Sequence, residues 1–383
     1  MPWKESPVMD QRIAFLIEAS RPQANLSALC REFGISRRTG YKWLGRLANA
    51  GTVMGLAEQS RHPHHSPGQT PTEIEAAVVA LRKQYGWGGR KLAVLLARQG
   101  IHLPEVTVNR ILRRRDLIGP QQAHPQATGR FCRPEPNQLW QMDFKGEYRT
   151  GEGEVYPLVV LDDHSRYLLG LWPLPGLGAE LTKASLVRLF EGVGVPQAML
   201  LDHGVPWWGN SGAYGLTRTS VWLMRQGIEL CFSGIGHPQT QGKVERQNRT
   251  FKARTGWRGV PTDAADWAVW AGQYRAEYNW VRPHEALELR TPGEVWRPVN
   301  LRPYQPDPPA WDYGTANVRQ IDRMGALAWG GRRFFVSEAL VGEWVRVDEL
   351  AGLVLVTFCN TTLREIDLAT GASRPVKLSR KVN

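Results

Sequence analysis

The chain has 383 residues, 42% of them hydrophobic and 16 of them Trp, which excludes a disordered chain and exceeds one ordinary core; two to four domains are expected. Its 48 Lys and Arg against 36 Asp and Glu leave a formal charge of +12, which favours a polyanionic partner. Cys30, Cys132, Cys231 and Cys359 lie far apart without a Cys-x-x-Cys pair, which argues against a structural zinc or a disulfide framework and fits a reducing compartment. The N-terminal segment lacks a signal-peptide core and no run reaches transmembrane length, so a soluble intracellular protein is expected.

Residues 1–60 read as a small helical module. Ile13, Phe15, Leu16 and Ile17 mark a first helix, Leu26 to Phe33 a second, Gly34 a tight turn, and Ser36 the N-cap of a third helix running to about Leu47. The stretch from Leu29 to Leu44 resembles a helix-turn-helix, whose last helix enters the major groove and here presents Arg37, Arg38 and Lys42. The alternative is a bundle with a solvated basic face.

Residues 61–71 carry prolines and no periodicity and read as a linker; His62, His64 and His65 lack a Cys or carboxylate at ligand spacing and are assigned to it. A second helical module is expected over 72–118, with helices Thr72–Gln84, Gly89–Gln99 and Glu105–Arg115. Val106, Val108, Ile111 and Leu112 give its last helix an apolar face, while Arg110, Arg113, Arg114 and Arg115 make either a DNA-reading face or a solvated cationic one.

After a connector at 119–138 the period turns strand-like. Strands are expected at Leu139–Glu147, Val155–Leu161 and Arg166–Leu174, followed by a helix near Ala179–Glu191, a strand Ala198–Leu201, a helix near Thr217–Gln226, a strand Ile228–Phe232, a helix from about Thr240 and a helix Asp263–Trp280. Three antiparallel strands and then alternating helix and strand describe an α/β layer fold with a mixed sheet, over 139–300. A Pro-rich linker at 301–317, alternating strands at 318–370 that suit a small β-barrel, and a basic tail at 371–383 complete the chain.

Three acids fall at chemically telling places: Asp143 in Trp-Gln-Met-Asp-Phe, Asp202 in Leu-Leu-Asp-His-Gly, and Glu245 after a Pro/Gly loop at the start of a helix. Taken singly, each is an ordinary strand-end or cap residue. On neighbouring strands and an adjacent helix they form a hard-oxygen set for two divalent cations in phosphoryl chemistry.

The strings around them are specific. Trp140 to Phe144, Leu161 to Tyr167, Leu201 to Gly204, His237 to Arg246, Tyr278 to Leu287 and Thr291 to Trp296 occur in one order. Together they resemble the catalytic core of bacterial insertion-sequence transposases with an Asp-Asp-Glu triad, relatives of retroviral integrases. The resemblance implies an RNase H-like core that binds transposon ends, cleaves a phosphodiester to free a 3′-hydroxyl, and joins that hydroxyl to target DNA. It implies Asp143, Asp202 and Glu245 as catalytic metal ligands, with two Mg²⁺ ions for which Mn²⁺ can substitute. The implied partners are double-stranded DNA of the element ends and the target, and further copies of the chain, at least a dimer on DNA; no membrane partner is implied and the place of action is the cytoplasm, on the nucleoid. In that family the string holding Asp162 and Asp163 is chiefly structural. On the Glu245 helix, Lys243, Arg246, Arg249 and Lys252 make a cationic track for a DNA backbone. His237 is assigned equally to a phosphate contact and to the loop. A transposase-derived DNA-binding regulator without catalysis is the competing reading, and a nuclease without strand transfer a third.

The chain also departs from the family. Forty-two residues separate Asp202 from Glu245, more than is usual, and His203 stands where Asn is typical. The excess is assigned to Trp207–Thr217, read either as a loop that stacks on bases or a partner, or as packed Trp.

Overall fold

The protein is described from a computed structural model, over residues 8–58, 68–119, 132–209, 215–233 and 242–376. It divides into two compact units, Met1–Thr70 and Pro71–Asn383. Much of the expected linkers at 61–71 and 119–138 and of the basic tail at 371–383, with His62, His64, His65 and His237, lies outside the described residues.

The first unit holds α1 (Val8–Ala19), α2 (Leu26–Glu32) and α3 (Arg37–Ala50). Caps set the ends: Ala28 donates its N–H to Asn25 Oδ1 at 3.1 Å, Thr39 donates to Ser36 Oγ at 3.2 Å, and left-handed Gly51 stops α3. Phe15, Leu16, Cys30, Trp43 and Leu56 form its core. The buried Arg12 guanidinium lies 3.9 Å over the Trp43 ring and donates to Leu56 O at 2.8 Å. Arg37, Arg38 and Lys42 are exposed on α3.

The second unit opens with α4 (Thr72–Tyr85), α5 (Gly89–Arg98) and α6 (Glu105–Arg114), packed through Val78, Leu92, Leu96, Val108, Ile111 and Leu112. Arg114 and Arg115 reach back to Glu75 at 2.6 and 3.3 Å, so these two of the four expected basic residues tie α6 to α4, while Arg110 and Arg113 are exposed.

A six-stranded mixed sheet follows, from β1 (Trp140–Phe144), β2 (Tyr148–Thr150), β3 (Gly153–Asp162), β4 (Leu168–Leu174), β5 (Ala198–Leu201) and β6 (Glu229–Phe232). β3 runs antiparallel to β1 and β4, while β1, β5 and β6 run parallel, giving the spatial order β4-β3-β1-β5-β6 of an RNase H-like core, with β2 on the free stretch of β3. The first strand stops at Phe144 rather than Glu147: Gly146, at φ +57°, turns the chain and β2 pairs separately. α7 (Ala179–Val193) and α8 (Arg218–Arg225) connect the later strands. α9 (Gly242–Arg258) and α10 (Ala264–Ala276) follow, and Val244, Phe251, Trp267, Ala271 and Tyr274 pack against Val159, Leu161, Leu168 and Leu171 of the sheet.

The helix expected to run to Trp280 stops at Ala276 and widens into a π turn, Glu277–Val281. That widening serves Asn279, whose buried amide accepts from Leu168 N at 2.8 Å and donates to Leu168 O at 3.0 Å, standing in for a neighbouring strand on β4. Arg275 donates to the next carbonyl, Leu169 O, at 3.2 Å. Helices α4 to α6 are fastened to the same region. Arg254 of α9 donates to Gln84 O at 2.9 Å and pairs with buried Glu277 at 2.5 Å, and Trp257 donates to Lys83 O at 2.9 Å.

The C-terminal strands are β7 (Val318–Gln320), β8 (Ala326–Trp329), β9 (Arg332–Phe335), β10 (Trp344–Leu350), β11 (Leu353–Phe358), β12 (Thr361–Asp367) and β13 (Ser373–Pro375). They form an antiparallel sheet β13-β12-β11-β10-β7 and a β8-β9 hairpin over a shared apolar core including Leu327, Phe334, Val345, Val354, Val356 and Ile366. Strand alternation built for one buried face, as in β11, explains their legibility in the sequence.

Candidate active site

Alternation along β1 sorts its residues. Trp140 and Met142 enter the core beneath the sheet, while Gln141 and Asp143 face α9. β1 pairs in parallel with β5, Trp140 opposite Met199 and Gln141 opposite Leu200. Two residues further, the same register sets Asp143 level with Asp202, which directly follows β5. Two carboxylates thus stand at the C-terminal ends of adjacent parallel strands.

Asp202 is held by its own loop. Its Oδ1 accepts from Gly204 N at 3.0 Å and from Trp207 Nε1 at 2.8 Å, and the same indole lies 3.2 Å from Asp202 O. A Cβ on Gly204 would come within 2.9 Å of both Asp202 carboxylate oxygens, so a larger residue here pushes on that carboxylate. Trp207 is 1% exposed and stacks on Phe144, with ring centroids 5.5 Å apart and planes 8° apart. Trp207 is therefore packed, which decides its two sequence readings. Trp208 packs edge-on against His203 at 4.4 Å and against Phe232 at 4.8 Å, so the histidine at the atypical position belongs to an aromatic cluster. Residues 210–214 of that stretch lie outside the described residues.

Glu245 lies in the first turn of α9 and is exposed. Its helix is docked by three side chains. Gln141, fully buried, accepts from Val244 N at 3.1 Å and donates to Asp163 Oδ1 at 2.8 Å. Lys243 pairs with Asp163 at 2.5 Å. Asn248, one turn beyond Glu245, donates to Asp143 Oδ2 at 2.7 Å, which sets Glu245 on the flank facing the aspartates. Asp162 accepts from Asn137 N, Ser165 N and Ser165 Oγ, so Asp162 and Asp163 organise the turn as the resemblance implied.

The electrostatics report the crowding. Burial, and then the charge of Asp202, push the Asp143 carboxyl up to about 7, against the hydrogen bonds from the Phe144 N–H and Asn248; Glu245 adds a smaller push in the same direction. Among the described residues no three His, Cys, Asp or Glu side chains already stand as a cation cage. The assembled element is the aspartate pair, with Glu245 on its flank. An all-oxygen, like-charged donor set of this kind suits a hard divalent cation, which relieves the repulsion that raises Asp143.

Arg246, Arg249 and Lys252 are exposed on α9. Lys243, expected on the same cationic track, is instead turned inward: its side chain is 14% exposed and bound to buried Asp163, because that pair anchors the helix start. Gln141, Asn248, Gly204 and Trp207 were not singled out as site residues by the sequence. Spacing offered a signal for two of them: Gln141 lies two residues before Asp143 on a strand, and Asn248 three after Glu245 on a helix.

Comparison with known proteins places these elements. Residues 133–238 and 226–292 match integrase core domain families, residues 11–64 a helix-turn-helix domain and residues 39–112 a homeodomain-like domain. The chain is 23% identical over 250 residues to the "Insertion element IS407 uncharacterized 31.7 kDa protein" of Burkholderia multivorans, covering 63% of this chain and 87% of that protein. It is 29% identical over 139 residues to the Pro-Pol polyprotein of Feline foamy virus, 36% of this chain but 11% of the polyprotein. Among solved structures, the HTLV-2 integrase catalytic core domain in complex with magnesium aligns at 14% identity and a TM-score of 0.33, over 42% of this chain and 97% of that one. A simian T-cell lymphotropic virus intasome chain aligns at 17% identity and 0.36, over 79% and 98%. At such TM-scores these two likenesses add nothing to the matches in sequence.

Fold and sequence matches together define an integrase-core protein of DNA recombination with helix-turn-helix domains. The matches support a bacterial insertion-sequence transposase with a retroviral-integrase-like core, the class that this chain resembles in sequence. No helix among the described residues is long and apolar enough to cross a membrane.

Proposed function

We propose that the protein binds the ends of a mobile DNA element, hydrolyses a phosphodiester to free a 3′-hydroxyl at each end, and joins these to target DNA by direct transesterification. Asp143, Asp202 and Glu245 are the catalytic carboxylates. The observation that carries this reading is the register that brings Asp143 level with Asp202 on neighbouring parallel strands, with α9 docked across them through Asn248.

Bound by these carboxylates, two divalent cations, Mg²⁺ or in its place Mn²⁺, supply the positive charge that activates an attacking hydroxyl and stabilises the leaving oxygen. The chain's own contribution is orientation. Trp207 and Gly204 fix Asp202, Asn248 fixes Asp143, and Gln141 and Lys243 seat the helix of Glu245. Arg246, Arg249 and Lys252 on α9 hold the DNA backbone beside the acids, and Arg37, Arg38 and Lys42 on α3 and Arg110 and Arg113 on α6 supply further DNA contacts. Joining two ends requires two active sites, so the working form on DNA is at least a dimer.

The test is incubation of the full chain with Mg²⁺ and DNA carrying the element ends. Nicked and joined products are expected, and Asp143→Asn is expected to give neither while binding DNA as tightly as the parent. Binding without cleavage by the unaltered protein sinks the enzyme reading in favour of a transposase-derived regulator.

A further inference from the structure

In the loop after Asp202 the first indole is committed to a carboxylate. We propose that Trp207 is a positioning residue for Asp202: its indole N–H fixes Oδ1 and leaves Oδ2 as the oxygen offered to a divalent cation. The inference rests on the reading of Asp202 as a metal ligand.

Three observations carry it. The indole nitrogen is a donor only, and both of its acceptors, Oδ1 at 2.8 Å and the main-chain oxygen at 3.2 Å, belong to Asp202. Gly204 N adds a second donor to the same Oδ1, whereas Oδ2 accepts no hydrogen bond from the described residues. The ring itself cannot swing, because it is 1% exposed and lies face to face with Phe144, the residue after Asp143. One rigid ring therefore spans the two aspartate-bearing segments. A phenylalanine fills the stacked position but has no N–H to give the carboxylate. Groups that orient metal ligands in this way commonly change cation affinity by about 10–100-fold when removed.

The experiment compares the full-length parent with Trp207→Phe, Gly204→Ala and Asp202→Asn. Mg²⁺ and Mn²⁺ binding is followed by titration calorimetry, the cation dependence of cleavage is measured, and the indole N–H resonances are recorded by NMR. Trp207→Phe is expected to weaken cation binding about 10–100-fold and to raise the half-saturating cation concentration for cleavage by the same factor. Gly204→Ala, which pushes on the same carboxylate without touching the indole, is expected to do likewise and carries the test should Trp207→Phe melt early. In cation-free protein the Trp207 indole resonance is expected to move when Asp202 becomes Asn. If Asp202→Asn loses cation binding while Trp207→Phe and Gly204→Ala bind like the parent, the indole is packing alone and the inference falls. If Asp202→Asn itself binds cations like the parent, the metal reading falls and takes the inference with it.

Discussion

Asn248 Nδ2 donates to Asp143 Oδ2 at 2.7 Å, so a side-chain bond joins the helix of Glu245 directly to the carboxylate of Asp143, beside the bond from Val244 N to Gln141 on the same strand. Asn248 is 7% exposed, and its own Oδ1 finds no hydrogen-bond partner among the described residues. That bond also favours the charged form of Asp143, against the burial that opposes it.

Removing the amide with Asn248→Ala is therefore expected to raise the Asp143 pKa further and to cost about 1.5–3 kcal/mol of stability, the range for a hydrogen bond to a charged group. Carboxyl carbon NMR titration of cation-free protein and urea unfolding would check both. An unchanged Asp143 titration would show that the contact is not maintained in solution.

Two groups of the core give opposite pH dependences. Asp143 has a folded pKa of about 7, above its unfolded value, so the folded state binds the extra proton and stability falls as pH rises toward 7. His284 is held neutral by burial, then by Arg282 and Lys91, with a folded pKa of about 2; the unfolded state binds the extra proton, and stability falls as pH drops below about 6.5. Each effect has a ceiling of ~1.4 kcal/mol per pH unit, and the partly exposed Asp143 falls short of it. Unfolding of cation-free protein between pH 5 and about 7 should thus slope more steeply upward with pH in Asp143→Asn and less steeply in His284→Gln. Matching slopes in the two variants would contradict these assignments.

Glu277 takes two cations, Arg254 at 2.5 Å and Arg258 at 3.1 Å, and Arg254 in turn holds Gln84 O. Glu277→Ala leaves the buried Arg254 charge uncompensated, at a cost of about 3–5 kcal/mol. Limited proteolysis should then cut in α4–α6 before it cuts in the sheet. Resistance equal to that of the parent would mean that the apolar contacts alone hold those helices.

The cations of α9 should separate by role. Arg249→Ala, on the exposed flank, is expected to weaken DNA binding and to lower the salt slope by about 1, the signature of one lost phosphate contact. Lys243→Ala removes the partner of buried Asp163 and is expected to lower thermal stability while leaving that slope alone. Fluorescence anisotropy over a salt series, beside thermal melts, would distinguish them.

Much of this was legible in the sequence because one-dimensional signals coincide with three-dimensional ones. Asp143 and Asp202 close apolar runs that are strands, and Ser36 announces the start of α3, which runs to Ala50, three residues past the expected end. What was missed depends on partners remote in the chain. Lys243 reads as a basic surface residue until Asp163, 80 residues away, is placed beside it. The break at Ala276 was hidden because the apolar spacing runs on into the π turn, whose purpose is a bond to Leu168, 111 residues earlier. Trp207 failed differently: its partner is five residues away, but through a loop curl with no period.

The Asn279 contact has a consequence for how copies of this chain can meet. β4 lies at the margin of the sheet, where an open strand invites another chain to add on. Here Asn279 occupies both main-chain groups of Leu168, Arg275 covers the carbonyl of Leu169, and Pro173 has no N–H to offer. That end of the margin is closed to strand addition, so a second copy of the chain cannot extend the sheet from Leu168 and must meet this one elsewhere.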